Sequence, residues 1–138
     1  MIWIPSQDFK DARLVGGLQT FLNALGSDKA RLNIYDGTMP VGGATPGGTL
    51  LVSIRLAAPA FDSDLHVLKV EQFDPVNGDI IAATGDAAFA RLLNPAGVWV
   101  GDGDVTAASG SGMFKLAGTV GTTLLLGGKA FITSGAFT

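Results

Sequence analysis

The sequence contains no cysteine and a single histidine, His66, among its 138 residues. Without cysteine there are no disulfide bonds and no thiolate metal ligands, and the redox compartment stays undecided. A single imidazole, with carboxylates as the only other candidate ligands, argues against a transition-metal site. We therefore interpret His66 as an ordinary strand residue. A serine triad with Ser53, His66 and an aspartate stays open as an alternative, but no segment resembles a nucleophile elbow.

Charge is also scarce, since only 15% of the residues are charged, against a usual value of about 25%. A small protein with so little charge is expected to expose apolar surface, and such surface commonly contacts protein partners. The net charge of -3 and the scattered Lys and Arg residues argue against nucleic-acid binding. No apolar run approaches the ~20 residues that span a bilayer. We expect synthesis in the cytoplasm and no membrane contact.

The chain has the pattern of a single mainly β domain over residues 1–138. Apolar residues occupy every second position in 31–35 and 49–56, which predicts two half-buried strands. Turn residues recur about every 8–12 positions after them, which favours an antiparallel β-sandwich or barrel. Asn77-Gly78 and the segment 94–97 predict hairpin turns. Further strands are predicted at 65–73, 79–84, 88–93, 98–100 and in the tail from 113 to 138.

One α-helix is predicted before the strands, over about 7–25. Leu14, Leu18, Leu22 and Leu25 recur at intervals of three or four residues, which is the spacing of an amphipathic helix. Gly26 suits the C-terminal cap. A glycine pair within the helix weakens it, and close packing on a sheet or a neighbouring subunit would be a reason to tolerate that pair.

The sharpest acidic cluster is Gly101-Asp102-Gly103-Asp104. Carboxylates at alternate positions suit calcium, so Asp102 and Asp104 are weak candidate metal ligands. The EF-hand pattern is incomplete, because Met113 stands where the last acidic ligand belongs. We therefore predict a tight turn here, with no metal and no cofactor.

Other site chemistries have weaker signals. A glycosidase pair such as Glu71 with Asp86 stays open, although acids in β proteins usually face water. The glycine-rich loops lack the Gly-Lys-Ser/Thr ending of a phosphate loop. Four aromatic residues would offer sugar-stacking platforms if exposed, and core packing is their more common role. These residues are Trp3, Tyr35, Phe61 and Trp99.

The long glycine- and proline-punctuated loop after the first strand, residues 36–48, is the best candidate contact element. Loops of this length in compact domains are usually binding elements or disordered. The apolar N-terminus is a second candidate, because termini and loops reach partners more readily than sheet faces do. The candidate contact residues are Ile2, Trp3, Ile4, Met39, Pro40, Val41, Thr45 and Pro46.

Several segments together resemble a family of small tailed-bacteriophage structural proteins encoded among the head genes. The resemblance covers most of the chain and is carried by the helix that ends at Leu25-Gly26 and by the segments 31–40, 48–51, 88–92, 101–105 and 131–138. The segment 61–73 departs from it by carrying more charge. The resemblance implies a minor capsid or decoration component of the virion, with no catalytic residues to carry over, and therefore not an enzyme.

We accordingly expect a non-enzymatic protein that binds the outside of a phage head and stabilises its shell. Its partners would be the major capsid protein or other virion proteins, and symmetric self-association, for example as a trimer, would add avidity. The alternative from a different class is a carbohydrate-binding module of a tail fibre or baseplate that uses Trp99 and Asp102. Another tail or head-completion component is the third hypothesis.

Overall fold

The computed structural model describes residues 2–4, 6, 10, 12–13, 16–17, 29–64, 67–117 and 121–137. This part of the chain is mainly β, as the alternating pattern predicts. Its strands, in chain order, are β1 (Arg31–Tyr35), β2 (Leu50–Asp64), β3 (Val67–Gln72), β4 (Asp79–Ile80), β5 (Gly85–Asp86), β6 (Phe89–Leu93), β7 (Trp99–Ala107), β8 (Phe114–Leu116), β9 (Thr123–Leu124), β10 (Lys129–Ala130) and β11 (Ile132–Phe137).

Seven of these strands form a barrel-like sheet in the order β1-β2-β3-β11-β8-β7-β6, with β6 pairing back to β1. Two short two-stranded sheets, β4 with β10 and β5 with β9, lie outside this ring. The structure therefore agrees with the barrel alternative of the prediction. The two separate facing sheets of a sandwich are not found among the described strands.

The interior of the barrel is apolar because the strands alternate. Leu32 and Ile34 of β1 are fully buried, and they lie opposite Ile54 and Val52 of β2. On the other side of β1, Leu92 of β6 lies opposite Leu32. Burying one such side chain stabilises the fold by roughly 1.5–3 kcal/mol. Every second residue of β1 is thus committed to the core, and the residues between are left for the outer face.

One strand pair runs parallel, against the all-antiparallel prediction. Val105 and Ala107 of β7 pair with Phe114 and Leu116 of β8 in the parallel direction. Parallel neighbours usually need a crossover of about a dozen residues or more, whereas residues 108–113 suffice here. The connecting segment 108–113 packs against β7, since its Gly112 N–H donates to the Thr106 hydroxyl at 3.1 Å. The paired residues are only nine positions apart, but the strand direction depends on how the connection packs on β7, which the alternation of apolar residues does not show.

The segment 101–104 lies inside β7 and is not the predicted tight turn. Gly103 is buried on the inner face of this strand, where an added Cβ would lie 2.8 Å from the Phe114 ring and 2.9 Å from Met113. The glycine is needed for close packing of β8 against β7. Asp102, on the opposite face, lies across from Arg91 of β6. A glycine and an aspartate that suggested a turn are therefore explained by packing against Phe114 and by the contact with Arg91.

The turn at Asn77-Gly78 forms, but the predicted hairpin across it is wrong. Gly78 has a φ of 70°, and the Asp74 carboxylate accepts hydrogen bonds from the Asn77 N–H at 3.0 Å and the Val76 N–H at 3.3 Å. The bond from Asn77 holds the pKa of Asp74 below its ordinary value. Beyond the turn, β4 pairs with β10 rather than with β3. By contrast, the predicted hairpin at 94–97 is confirmed, with β6 and β7 antiparallel.

The second strand is longer than predicted, since β2 continues through Pro59 to Asp64. The register between β2 and β3 is irregular between Leu56 and Phe61. Proline is tolerated in a sheet at such a bulge, where its missing N–H breaks no regular ladder bond. The proline therefore marks an irregularity within the strand and not its end.

The predicted helix over 7–25 falls mostly on residues outside the described part. Within that range the described residues Lys10, Ala12, Arg13, Gly16 and Gly17 have helical backbone, but no continuous helix is among the described elements. Within the described residues, no helix is both long enough and apolar enough to cross a membrane.

We predict that Gly103→Ala destabilises the protein by about 1–3 kcal/mol, because its Cβ overpacks the contact with Phe114 and Met113. The matched control is Gly101→Ala in the same strand, where an added Cβ meets nothing within 4 Å, and the expected change is about 0.5 kcal/mol or less. Urea unfolding of the two variants measures both. Equal stability of the variants would contradict the packing role of Gly103.

Candidate functional site

The loop 36–48 is closed at its base. The Asp36 N–H donates to the Thr49 carbonyl at 3.2 Å, and the Thr49 N–H donates to the Asp36 carboxylate at 2.5 Å. Gly48 lies so near that an added Cβ would overlap the Asp36 carbonyl oxygen, at 2.1 Å. A loop whose ends meet and that packs on its own protein is an Ω-loop.

The middle of this loop lies against the outside of the barrel. The Ala44 carbonyl accepts a hydrogen bond from Arg91 Nη2 of β6 at 2.8 Å. Gly43, with a φ of 76°, lies against the Trp99 ring of β7, so that an added Cβ would be 2.6 Å from Trp99 Cε3. The predicted contact loop, residues 36–48, therefore lies against β6 and β7 and does not project as a free arm. We call this loop the strap.

The strap depends on a buried ion pair between β6 and β7. Arg91 Nε donates to Asp102 Oδ1 at 2.8 Å, and Arg91 Nη2 donates to Asp102 Oδ2 at 2.9 Å. Both side chains are buried. The hydrogen bonds that Arg91 donates to the Asp102 carboxylate raise the pKa of Arg91, so the guanidinium stays charged. Its Cζ also lies 5.9 Å from the centroid of the Trp99 ring, within the range of a cation–π contact.

The two candidate calcium ligands are used within the fold. Both carboxylate oxygens of Asp102 accept from Arg91, and Asp104 Oδ1 accepts from the Met113 N–H at 2.8 Å. Within the part of the chain that the structure describes, no group of three or more His, Asp or Glu side chains is placed to hold a metal ion. Asp102 and Asp104 serve as hydrogen-bond acceptors that organise β7 and its neighbours.

The candidate sugar platforms are in different situations. Trp99 has Gly43 and Arg91 against it, and Tyr35 is stacked on Phe89 with ring centroids 5.3 Å apart. Trp3 is largely exposed near the N-terminus. The side chain of Phe61 lies outside the described residues. Of the three rings that the structure describes, Trp99 stays 41% exposed, and Tyr35 stacks on Phe89 rather than on Trp99.

The candidate hydrolytic residues have ordinary partners where they are described. The Ser53 hydroxyl donates to Asn33 Oδ1 at 2.6 Å, and His66 lies outside the described residues. Asp86, on β5, accepts from the Thr123 hydroxyl at 2.7 Å. Glu71 is exposed on β3, a strand that does not pair with β5. Ser53 and Asp86 thus each have a hydrogen-bond partner within the fold.

The candidate contact residues are mostly exposed. The N-terminal side chains are the extreme case, with exposed fractions of 87% for Ile2, 75% for Trp3 and 82% for Ile4. In the loop, Val41 is 91% exposed and sits at the outer side of the strap. Of the other candidate residues in the loop, Met39 and Thr45 are exposed, whereas Pro40 and Pro46 are partly buried.

A second exposed apolar group was missed from the sequence. Leu125 and Leu126 follow β9, and both are exposed, as is Ile80 of β4. The chain turns there, since the Gly128 N–H donates to the Leu125 carbonyl at 2.9 Å, and the bond from the Leu126 N–H to the Thr84 hydroxyl at 3.0 Å ties this turn to the residues before β5. The Gly-Gly pair after the two leucines was the available signal for a turn.

Comparison of the chain with protein-family models, with curated proteins and with solved structures gives no match.

We predict that Gly43→Ala lifts the strap from Trp99, because an added Cβ has no room against the ring. In a Trp3→Phe background, where Trp99 is the sole tryptophan, the emission shifts to longer wavelength and acrylamide quenching increases. Gly42→Ala is the matched control, since Gly42 also has a positive φ but an added Cβ meets nothing within 4 Å. The same spectrum for both variants would show that the loop does not pack on Trp99.

We predict that Asp102→Ala destabilises the protein by about 3–5 kcal/mol, because Arg91 is left as a buried charge without its partner. The control is Asp104→Ala, which removes one exposed hydrogen bond worth about 1 kcal/mol. Urea unfolding, followed by circular dichroism, measures the two values. A loss at Asp102 no larger than that at Asp104 would refute the structural role of the ion pair.

Proposed function

We propose that the protein is a non-enzymatic structural component of a phage virion, which binds the head shell and stabilises it through apolar contacts. The observation that carries this proposal is the exposed apolar run Ile2-Trp3-Ile4. The resemblance of the sequence to small phage structural proteins points in the same direction. The scarcity of charge, at 15% of the residues, is an independent support.

The N-terminal run is suited to protein contact. Each large apolar side chain that moves from water into an interface contributes roughly 1.5–3 kcal/mol, and tryptophan is among the residues that dominate interface energies. Because Ile2, Trp3 and Ile4 are adjacent, a single partner groove is able to bury all of them. Repetition of this contact over the symmetric copies of a shell would multiply its effect through avidity.

The strapped loop is suited to a second contact. Val41 is 91% exposed, while Gly43 and Ala44 next to it are held against Trp99 and Arg91. A contact residue on a loop that is already ordered loses less conformational entropy on binding than one on a free arm. Met39, also exposed, is placed in the same loop.

The carbohydrate-binding alternative has less support. It relies on Trp99 and Asp102, and both are engaged within the protein by Gly43 and Arg91. A tail or head-completion component would use the same exposed apolar surfaces, so the experiment has to separate the shell from the tail.

We predict that wild-type protein co-sediments with phage heads that lack it. The triple variant Ile2→Ser, Trp3→Ser, Ile4→Ser should bind at least about tenfold more weakly, which corresponds to about 1.4 kcal/mol. The control is Leu125→Ser, Leu126→Ser, which removes exposed apolar residues from another surface. Absence of wild-type protein from the head pellet would refute the proposal, and sedimentation with purified tails instead would support the tail hypothesis.

A further inference from the structure

Two cations lie over one partly exposed aromatic ring near the start of β1, and a third, Arg31, lies opposite one of them in the sheet. Lys29 Nζ lies 4.1 Å from the centroid of the Phe73 ring, and Arg55 Cζ lies 5.1 Å from it. Both distances are those of cation–π contacts. Phe73 keeps 45% of its surface exposed. With Arg31, these residues form what we call the basic–aromatic patch.

Strand pairing creates this patch. Arg31 of β1 lies directly opposite Arg55 of β2, and Lys29 is two positions before Arg31 on the same side, since Ala30 between them is buried. The Phe73 N–H donates to the Arg55 carbonyl at 2.9 Å, which fixes the ring beside the guanidinium. Widely separated parts of the chain thus meet on one outer surface.

The charges of the patch are only partly balanced. Arg55 Nε is paired with Asp79 Oδ1 at 2.7 Å, and this carboxylate raises the pKa of Arg55. Among the side chains that the structure describes, no carboxylate forms an ion pair with Lys29 or Arg31, and Arg31 reaches only the Ser53 hydroxyl, at 3.5 Å. Like charges directly opposite each other destabilise a strand pair, so this arrangement costs the fold stability.

The patch is also unusual for this protein as a whole. The chain has nine Lys and Arg residues and a net charge of -3, and Lys29, Arg31 and Arg55 bring three of those nine to one place. The sequence predicted scattered basic residues because Arg55 is distant from the other two along the chain. The pairing of β1 with β2 makes them neighbours.

We propose that the basic–aromatic patch binds an acidic segment of a partner protein. Carboxylates of that segment pair with Lys29 and Arg31, and an apolar side chain beside them packs on the exposed part of Phe73. Charge complementarity of this kind selects the partner and speeds encounter, and arginine with an aromatic residue is a typical composition of an interface centre. The inference stands independently of the apolar contacts proposed for the head shell.

A polypeptide suits this patch better than a nucleic acid does. Asp79 accepts a hydrogen bond from Arg55 within the same cluster. Asp79 first, and then the charge of the nearby Asp74, raise the pKa of Arg55. Binding of a phosphate backbone is driven by counterion release and needs many cationic side chains, whereas these carboxylates leave Lys29 and Arg31 as the cations of the patch without a paired carboxylate among the described side chains. A short segment with alternating carboxylate and apolar side chains matches both the cations and the phenyl ring.

The test uses a fluorescein-labelled peptide of alternating Glu and Leu, with a peptide of Gln and Leu as its neutral counterpart. Fluorescence anisotropy with the whole chain should show binding of the Glu peptide that weakens several-fold when salt rises from about 50 to 200 mM, because screening increases. The variant Lys29→Glu, Arg31→Glu should lose at least about tenfold in affinity. Phe73→Leu should weaken binding less and leave the salt dependence unchanged.

The matched control is Lys115→Glu, Lys129→Glu, which changes the net charge by the same amount on β8 and β10. Circular dichroism confirms folding of each variant, and Lys29→Gln, Arg31→Gln replaces the charge reversal if that variant is unfolded. The proposal is overturned if the Glu peptide does not bind, if the Gln peptide binds equally well, or if both charge reversals have the same effect. Displacement of the peptide by a lower concentration of single-stranded oligonucleotide also overturns it.

Discussion

The buried pair of Arg91 and Asp102 is the interaction on which the outer side of the barrel depends. It joins β6 to β7, and the same guanidinium holds the Ala44 carbonyl and lies over Trp99. A buried guanidinium without a carboxylate partner would lower the free energy of unfolding by several kcal/mol. The contacts of the strap, of the Trp99 ring and of the hairpin of β6 and β7 therefore all depend on this ion pair. The middle of the loop 36–48 is held by contacts with Arg91 and Trp99, and its base is closed by the bonds between Asp36 and Thr49.

A second polar cluster connects the barrel with the small outer sheet. Gln72, at the end of β3, donates to the Ala130 carbonyl and to the Asp79 carboxylate, both at 3.1 Å, and accepts from the Ile132 N–H at 3.2 Å. Asp79 in turn bonds Arg55. Hydrogen bonds that satisfy buried groups in this way specify one arrangement, because every alternative leaves a group unpaired. The cluster that ties β4 and β10 to the end of β3 also supports the arginine of the basic–aromatic patch.

Local patterns predicted the strands well and their partners poorly. Alternation in 31–35 predicted β1, and the Asn-Pro-Ala-Gly segment at 94–97 predicted the hairpin of β6 and β7, since adjacent strands joined by a tight turn need no distant information. Glycine misled the prediction at 101–104, where Gly103 makes room for Phe114 rather than for a turn. The turn at Asn77-Gly78 formed without its hairpin, because the backbone of β4 pairs with β10 instead of with β3. For the candidate site, exposure of Ile2, Trp3 and Ile4 followed from the sequence, whereas the basic–aromatic patch did not.

The sequence by itself determined the β character of the chain, the alternation that fills the barrel and a surface poor in charge, because these depend on composition and on residues two positions apart. Only the tertiary structure decided the order of strands, the parallel direction of β8, the strapping of the loop and the meeting of Lys29 and Arg31 with Arg55. The strand order, the strapped loop and the basic–aromatic patch depend on contacts between residues far apart in the chain, and the direction of β8 depends on its pairing with both β7 and the distant β11. The free energy of such a contact comes from two segments together, so a pattern within one segment does not predict it.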